Sequence, residues 1–205
     1  MKLHWSSRSP YVRKVMICAC ERGVADGIER IHSEVSMSRP NPAVMRHNPI
    51  GKIPTLILDD GRVLYESVVI CEYLDSLGTT GSPLFPPRGE ERWLALRWHA
   101  LGDGMLDTLL LWRSELRKPV ERQTPEWLAG FTLKIENGLA VIEAEADALA
   151  RSSFGIGHVG IGTALAYLDF RFAHLGWRGD CPRSAAWMEQ FLERDSVRKT
   201  TFIDT

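Results

Sequence analysis

The sequence lacks a long apolar run, an excess of either charge and a rich supply of cysteine, and each shortage excludes a class of protein. No stretch approaches the ~20 apolar residues that a membrane-spanning helix requires, and the first residues lack the apolar core of a secretory signal. The 25 basic residues nearly balance the 26 acidic ones, for a formal net charge of -1. We therefore expect a cytoplasmic protein that binds neither nucleic acid nor a membrane.

Cysteine is present at only four positions, Cys18, Cys20, Cys71 and Cys181. The spacing of the first two is not a common metal-ligand spacing, and it directs their side chains to different sides of a helix. Because no secretory signal precedes them, we expect reduced thiols in a reducing compartment. The sequence therefore predicts neither a disulfide framework nor a metal centre.

Residues 1–77 mix short strand patterns with helical ones. The expected elements are a strand at KLHW, an amphipathic helix that Gly23 ends, a strand within 28–34, a short helix within 39–49, a hairpin of TLIL and RVLY around DDG, and a helix over 66–77. Their order is βαβ-α-ββα. It predicts an α/β domain over residues 1–77.

The rest of the chain reads differently. Residues 78–88, GTTGSPLFPPR, are rich in Gly and Pro, which is typical of a linker. Over residues 89–205, apolar residues recur at intervals of three and four, in stripes that begin at Leu94, Leu128, Ile161 and Trp187. This periodicity predicts an all-α helical bundle.

The stretch SSRSPYVRKV, residues 6–15, places three serines and three basic residues where the first strand meets the first helix. Ser9 followed by Pro10 is a typical start of a helix, since serine caps open amides and proline suits the first helical position. No His and Asp pattern supports a serine nucleophile here. We expect the basic residues of this stretch to lie mostly on the solvent-facing side of the helix.

Four segments together resemble a known family. They are SPYVRKV after the first strand, NPIGKIPTL before the hairpin, ESVVICEYLD in the third helix and ALAYLDFRF in the second half. The chain is similar over nearly its whole length to the cytosolic glutathione S-transferase superfamily, and its active-site motif resembles that of bacterial, serine-type, tau- and zeta-like members. The resemblance implies a thioredoxin-like N-terminal domain, an all-α C-terminal domain, glutathione as the co-substrate, no metal, and a homodimer with a role in detoxification.

In that family the reactive group lies where the first strand meets the first helix. The resemblance assigns this role to Ser9, whose hydroxyl would stabilise the thiolate of glutathione, with the helix N-terminus adding to the effect. Ser7, Ser6 and Tyr11 remain alternatives, because other classes use a nearby serine or tyrosine. The substrate would be a hydrophobic electrophile or a peroxide.

The other two N-terminal motifs imply contacts to glutathione. A cis peptide bond before Pro54 would leave the backbone of Ile53 free to pair with the cysteinyl part of glutathione, as an added strand does. Lys52 would reach the glycine carboxylate. Ser67, at a helix N-terminus, would hold the α-carboxylate of the γ-glutamyl end, and Glu66 would hold its amine.

The second half offers fewer specific signals. Trp98, His99, Met105 and Trp112 are candidate residues of the hydrophobic substrate pocket, although an aromatic stripe is more often core. A non-catalytic protein that binds glutathione or a hydrophobic ligand is the alternative function. A purely structural interaction domain is disfavoured, because the residues that would contact glutathione are all present.

One position departs from the family pattern. Members usually begin the core helix of the second domain with Ser/Thr-x-x-Asp, a capping box, whereas here Gly155 and His158 occupy those positions. We expect a weaker helix start. A protonated histidine in the first turn is unfavourable, so this domain should lose stability as the pH falls below ~6.5.

Overall fold

The structure is a computed structural model that describes residues 1–204. These residues form two compact units, one of residues 1–87 with 195–204 and one of residues 88–194. The C-terminal residues thus belong to the first unit, whereas the sequence placed all of 89–205 in the helical domain. The reason is a set of contacts from the C-terminal segment to the first helix and the turn before it, described below.

The first unit is a four-stranded mixed sheet with helices, which confirms the predicted βαβ-α-ββα order. Its elements are β1 (Lys2–Trp5), α1 (Pro10–Glu21), β2 (Glu29–His32), α2 (Pro42–Met45), β3 (Thr55–Ile57), β4 (Val63–Tyr65) and α3 (Ser67–Ser76). The strand order is β2-β1-β3-β4, with β1 parallel to β2 and antiparallel to β3, and β3 antiparallel to β4. This is the thioredoxin-like arrangement expected.

Helix α1 has the predicted cap, and Gly23 follows its end with a φ of 67°. The expectation that its basic residues face solvent is wrong, since Lys14 is fully buried and Arg13 is only 5% exposed. Residues of the C-terminal segment cover this side of the helix. The guanidinium of Arg13 donates to the carbonyl of Val197 and stacks on Phe202, 4.5 Å from the ring centre. Burial lowers the pKa of Arg13 to about 10.

The second unit is all-helical, as predicted. Its helices are α4 (Glu90–Leu116), α5 (Pro125–Arg151), α6 (Ile156–Phe172), α7 (Trp177–Asp180) and α8 (Pro182–Leu192), and a last helix, α9 (Asp195–Arg198), returns to the first unit. None of the helices in residues 1–204 is long and apolar enough to cross a membrane.

Glycines let the central helix α6 lie close against α4. A Cβ built on Gly102 of α4 would come within 2.4 Å of the backbone of Gly160 in α6, and one on Gly160 would come within 2.9 Å of the Cα of His99. Gly160, which weakens α6 as an isolated helix, therefore allows this close contact with α4.

Candidate functional site

The sheet register brings the three N-terminal motifs to one end of the sheet. Within it, His4 of β1 pairs with Thr55 of β3, and Thr55 pairs with Tyr65 of β4. Neighbouring strands lie about 4.8 Å apart. Because β3 runs against both neighbours, the segment after β1, the segment before β3 and the segment after β4 all leave the sheet at this end. These segments carry Ser9, Ile53 and Glu66.

Ser9 is the N-cap of α1. Its backbone is extended, with φ -84° and ψ 119°, and its Oγ accepts a hydrogen bond from the backbone N–H of Val12 at 3.3 Å. A hydroxyl that accepts in this way still has its own proton to donate. The side chain is partly exposed at the N-terminus of a 12-residue helix, where partial positive charge favours an anion.

The three alternatives to Ser9 have different surroundings. The hydroxyl of Ser7 donates to the carbonyl of Ile203 at 2.9 Å, and the N–H of Ile203 donates to the carbonyl of Ser7 at 3.4 Å. Ser6 is buried, and its Oγ lies 3.4 Å from the backbone N of Arg8. Tyr11 lies inside the first turn of α1 with the ammonium of Lys14 5.2 Å from its ring centre.

The peptide bond between Ile53 and Pro54 is cis, as expected. Within residues 1–204, the backbone N–H and carbonyl of Ile53 have no hydrogen-bond partner. Asn48, whose role the sequence does not reveal, holds this turn: its amide donates to the carbonyl of Lys52 and to Oγ1 of Thr55, each at 3.1 Å. The side chain of Lys52 is exposed.

Glu66 and Ser67 form a contact that the sequence did not predict. Oε1 of Glu66 accepts from the backbone N–H of Ser67 at 2.7 Å and from its hydroxyl at 3.1 Å. A carboxylate thus lies at the helix N-terminus where the α-carboxylate of glutathione was expected, and it is the protein's own. Glu66 also has φ 71°, which a non-glycine residue rarely adopts outside functional sites.

The four predicted pocket residues, Trp98, His99, Met105 and Trp112, are all buried in the second unit. The indole of Trp98 donates to the carboxylate of Glu145, and His99 lies 3.4 Å from the carboxylate of Asp103. The second unit also has a groove between α5 and α7–α8. Of the four residues, only Trp112 lines this groove. Sequence periodicity alone does not separate core from groove.

His158 takes over one half of the missing capping box. Its Nδ1 accepts from the backbone N–H of Gly155 at 3.1 Å, and its Nε2 lies 3.1 Å from the carbonyl of Leu149. Both contacts are satisfied at once only by a neutral imidazole that carries its proton on Nε2. Burial, the largest cause, lowers the pKa of His158, and the charge of Arg194 lowers it further.

Two family models match the chain. The glutathione S-transferase N-terminal domain matches residues 8–77, and the glutathione S-transferase C-terminal domain matches residues 125–190. The uncharacterized GST-like protein YibF of Escherichia coli (strain K12) is 31% identical over 203 residues, which cover 98% of each chain. Glutathione S-transferase U19 of Arabidopsis thaliana is 26% identical over 85% of this chain and 78% of its own.

Solved structures agree with these matches. A glutathione transferase family member from Pseudomonas fluorescens Pf-5, with bound glutathione, superimposes with a TM-score of 0.95 at 42% identity over 99% of each chain. A glutathione S-transferase from Methylobacillus flagellatus, also with glutathione bound, gives a TM-score of 0.88 at 33% identity over 98% of this chain and 99% of its own. The chain belongs to the glutathione S-transferase family.

Proposed function

We propose that the protein is a glutathione-dependent transferase in which the Ser9 hydroxyl stabilises the glutathione thiolate for attack on a hydrophobic electrophile or a peroxide. The observation that carries the proposal is the sheet register, which sets Ser9, Ile53 and Glu66 at the same end of one sheet. Relatives with similar sequences over nearly their whole length have been crystallised with glutathione, which supports the choice of co-substrate.

Each motif has a separate task in this proposal. The unpaired backbone of Ile53 pairs with the cysteinyl residue of glutathione, and Lys52 attracts its glycine carboxylate. The amide and hydroxyl of Ser67 hold the γ-glutamyl carboxylate, and Glu66 turns away from Ser67 to pair with the amine. These contacts fix the sulfur near the start of α1, where Ser9 has a free proton.

The Ser9 hydroxyl and the N-terminus of α1 together can supply the free energy that activation of the glutathione thiol requires. A free thiol has a pKa of about 8.5, so only a few per cent is thiolate at pH 7. Lowering the pKa by ~2 units requires roughly 2.7 kcal/mol at 1.36 kcal/mol per unit. One hydrogen bond to the charged sulfur, worth about 1.5–3 kcal/mol, together with the helix N-terminus is of that size. Ser7 fits less well, because its proton is already donated to Ile203.

Conjugation of chlorodinitrobenzene and reduction of cumene hydroperoxide test the proposal in wild type, Ser9→Ala and Ser7→Ala. With glutathione saturating, we expect Ser9→Ala to raise the pKa that governs kcat/KM for the second substrate by about one to two units, and to reduce this kcat/KM by about 10- to 100-fold below pH 7. Ser7→Ala should keep the wild-type pH profile. A shift in Ser7→Ala but not in Ser9→Ala would move the role to Ser7.

A protein that binds glutathione without turnover is the second candidate function. Such a protein would make the same contacts with glutathione but would not catalyse its reaction with a second substrate. Retention on glutathione-agarose, with neither conjugation nor peroxidase activity in the wild type, would favour it over the transferase.

We also propose a homodimer. Tyr65 of β4 and Val69 of α3 expose nearly half of their surface, and neighbouring exposed apolar side chains commonly mark a protein interface. Light scattering of wild type and Val69→Arg tests this: we expect the mass of two chains for wild type and of one for the variant. The cytoplasmic location and the detoxifying role stay predictions from the sequence.

A further inference from the structure

The second unit contains a groove of its own between α5 and α7–α8. It encloses about 560 Å³, which lies within the usual range of small-molecule pockets. Its floor is apolar and consists of the buried side chains of Trp112, Ile135, Leu139 and Trp177. None of the residues proposed to bind glutathione lines it.

The rim of the groove is acidic. Glu143, Glu136 and Asp180 lie along it, with Arg183 as the basic residue of the lining. Glu143 is already engaged: it accepts from the amides of Arg183 and Ser184 and lies 3.3 Å from the Arg183 guanidinium. Although burial alone raises its pKa, the hydrogen bonds from Ser184 and Arg183 lower the pKa of Glu143 to about 2.

Glu136 and Asp180 remain as uncompensated charge. Within residues 1–204, neither carboxylate forms an ion pair. The pair of Glu143 with Arg183 cancels the other charges of the lining. The groove therefore presents a negative rim around an apolar floor, and this combination favours a ligand that carries a cation beside an apolar body.

The floor also offers an unused hydrogen-bond donor. Trp112 is only 6% exposed, yet its indole N–H has no acceptor within the described part of the chain. The other floor indole, of Trp177, donates to Asp169 at 2.8 Å. The indole nitrogen is not cut off from solvent, so its N–H can donate to an acceptor atom on a bound molecule.

We infer that this groove binds an amphipathic amine: an aromatic body on the tryptophan floor, an acceptor atom near the N–H of Trp112, and an ammonium group at Glu136 and Asp180. The inference does not depend on the proposed transferase activity, because the second unit alone builds the groove. It assigns the helical unit a ligand site in addition to the site for glutathione.

Calorimetric titration of the full chain with three matched probes tests the charge requirement. The probes are propranolol, a naphthyl ether amine; its neutral analogue, in which a hydroxyl replaces the amine; and naphthoxyacetate. We expect the amine to bind at least about fivefold more tightly than the neutral analogue, a difference that should shrink at high salt, and the acid to bind most weakly. Equal binding of the amine and its neutral analogue would overturn the inference.

Variants of the groove localise the binding. Glu136→Gln and Asp180→Asn should each weaken the binding of the amine by about two- to fivefold, as expected for exposed charge pairs. Neither variant should change the affinity for the neutral analogue. Ala140→Trp fills the groove from an exposed position on α5 and should abolish binding, whereas Ala150→Trp, on the same helix outside the groove, should not. Undiminished binding to Ala140→Trp with an unchanged circular dichroism spectrum would place the amine elsewhere and refute the site.

Discussion

The guanidinium of Arg22 and the carboxylate of Asp75 form a buried ion pair, with 2.9 Å between Nε and Oδ1. Arg22 caps the C-terminus of α1 and also donates to the carbonyls of Thr80 and Gly81, while Asp75, in the last turn of α3, accepts from the amides of Leu84 and Phe85. The pair therefore ties two helices to the Gly- and Pro-rich segment that follows them.

We predict that Asp75→Asn lowers the free energy of unfolding by about 3–5 kcal/mol, since it leaves the buried charge of Arg22 without its partner. Asp60→Asn is the matched control, because Asp60 pairs with Arg62 at 2.7 Å on the surface, where both are more than half exposed. That control should change the free energy by less than about 1 kcal/mol. Urea denaturation of both variants measures the difference, and similar losses in the two would contradict the role given to Asp75.

Local sequence signals predicted most of the elements of both units. The Ser9–Pro10 start of α1, the glycine after it and the DDG turn are chemical requirements of short segments, so they can be recognised without the fold. The cis peptide before Pro54 followed from the family resemblance. Once the strand order is known, one can deduce that the three N-terminal motifs lie at the same end of the sheet.

Features that depend on distant contacts were not predictable. Arg13 is buried by contacts with Val197 and Phe202, which lie more than 180 residues away in the sequence. Nothing in the sequence of α1 indicates these contacts. From the sequence alone, His158 looks like a poor capping residue. In the structure, the imidazole has hydrogen-bond partners in the backbone of both Leu149 and Gly155. The groove beside Trp112 is invisible in the sequence because core and groove share one apolar periodicity.

The carboxylate of Glu66 accepts a hydrogen bond from the amide of Ser67. On binding, it has to yield this position to glutathione and pair with the glutathione amine. Glu66→Gln should therefore weaken the binding of glutathione by about ten- to a hundredfold, which corresponds to the usual free energy of a hydrogen bond to a charged group. Desamino-glutathione, which lacks the amine, should bind the variant at least as well as it binds wild type. Calorimetry with both ligands measures this, and an equal loss for the two would disprove the pairing with the amine.

The third prediction concerns the close approach of α4 and α6. Alanine in a helix interior is usually more stable than glycine by about 0.8–1 kcal/mol, and Gly104→Ala should show this gain because nothing lies within 4 Å of the added Cβ. Gly102→Ala, half a turn away on the same helix, should instead lose at least ~1–3 kcal/mol, because its Cβ meets the backbone of Gly160. Thermal unfolding of the pair measures both effects. A gain in both variants would show that the helices can separate at no cost.

The fourth prediction is a loss of stability in acid that depends on His158. Its pKa is lowered in the folded state, so its contribution to stability is fully present above the unfolded value of about 6.5 and is lost as the pH falls towards the lower, folded value. Protonation would remove the acceptor that caps Gly155 and would place a positive charge in the first turn of α6 and near Arg194.

His158→Asn keeps an acceptor for Gly155 but cannot titrate, and His158→Asp restores the usual capping acid, which titrates only at lower pH. We expect the melting temperature of wild type to fall relative to both variants between about pH 6.5 and pH 5. His4 is also buried, and burial together with His47 and Arg46 lowers its pKa in the same direction, but it is common to all three proteins. The difference between the profiles therefore isolates His158. Parallel profiles across this range would show that the imidazole does not control the acid stability of the helical unit.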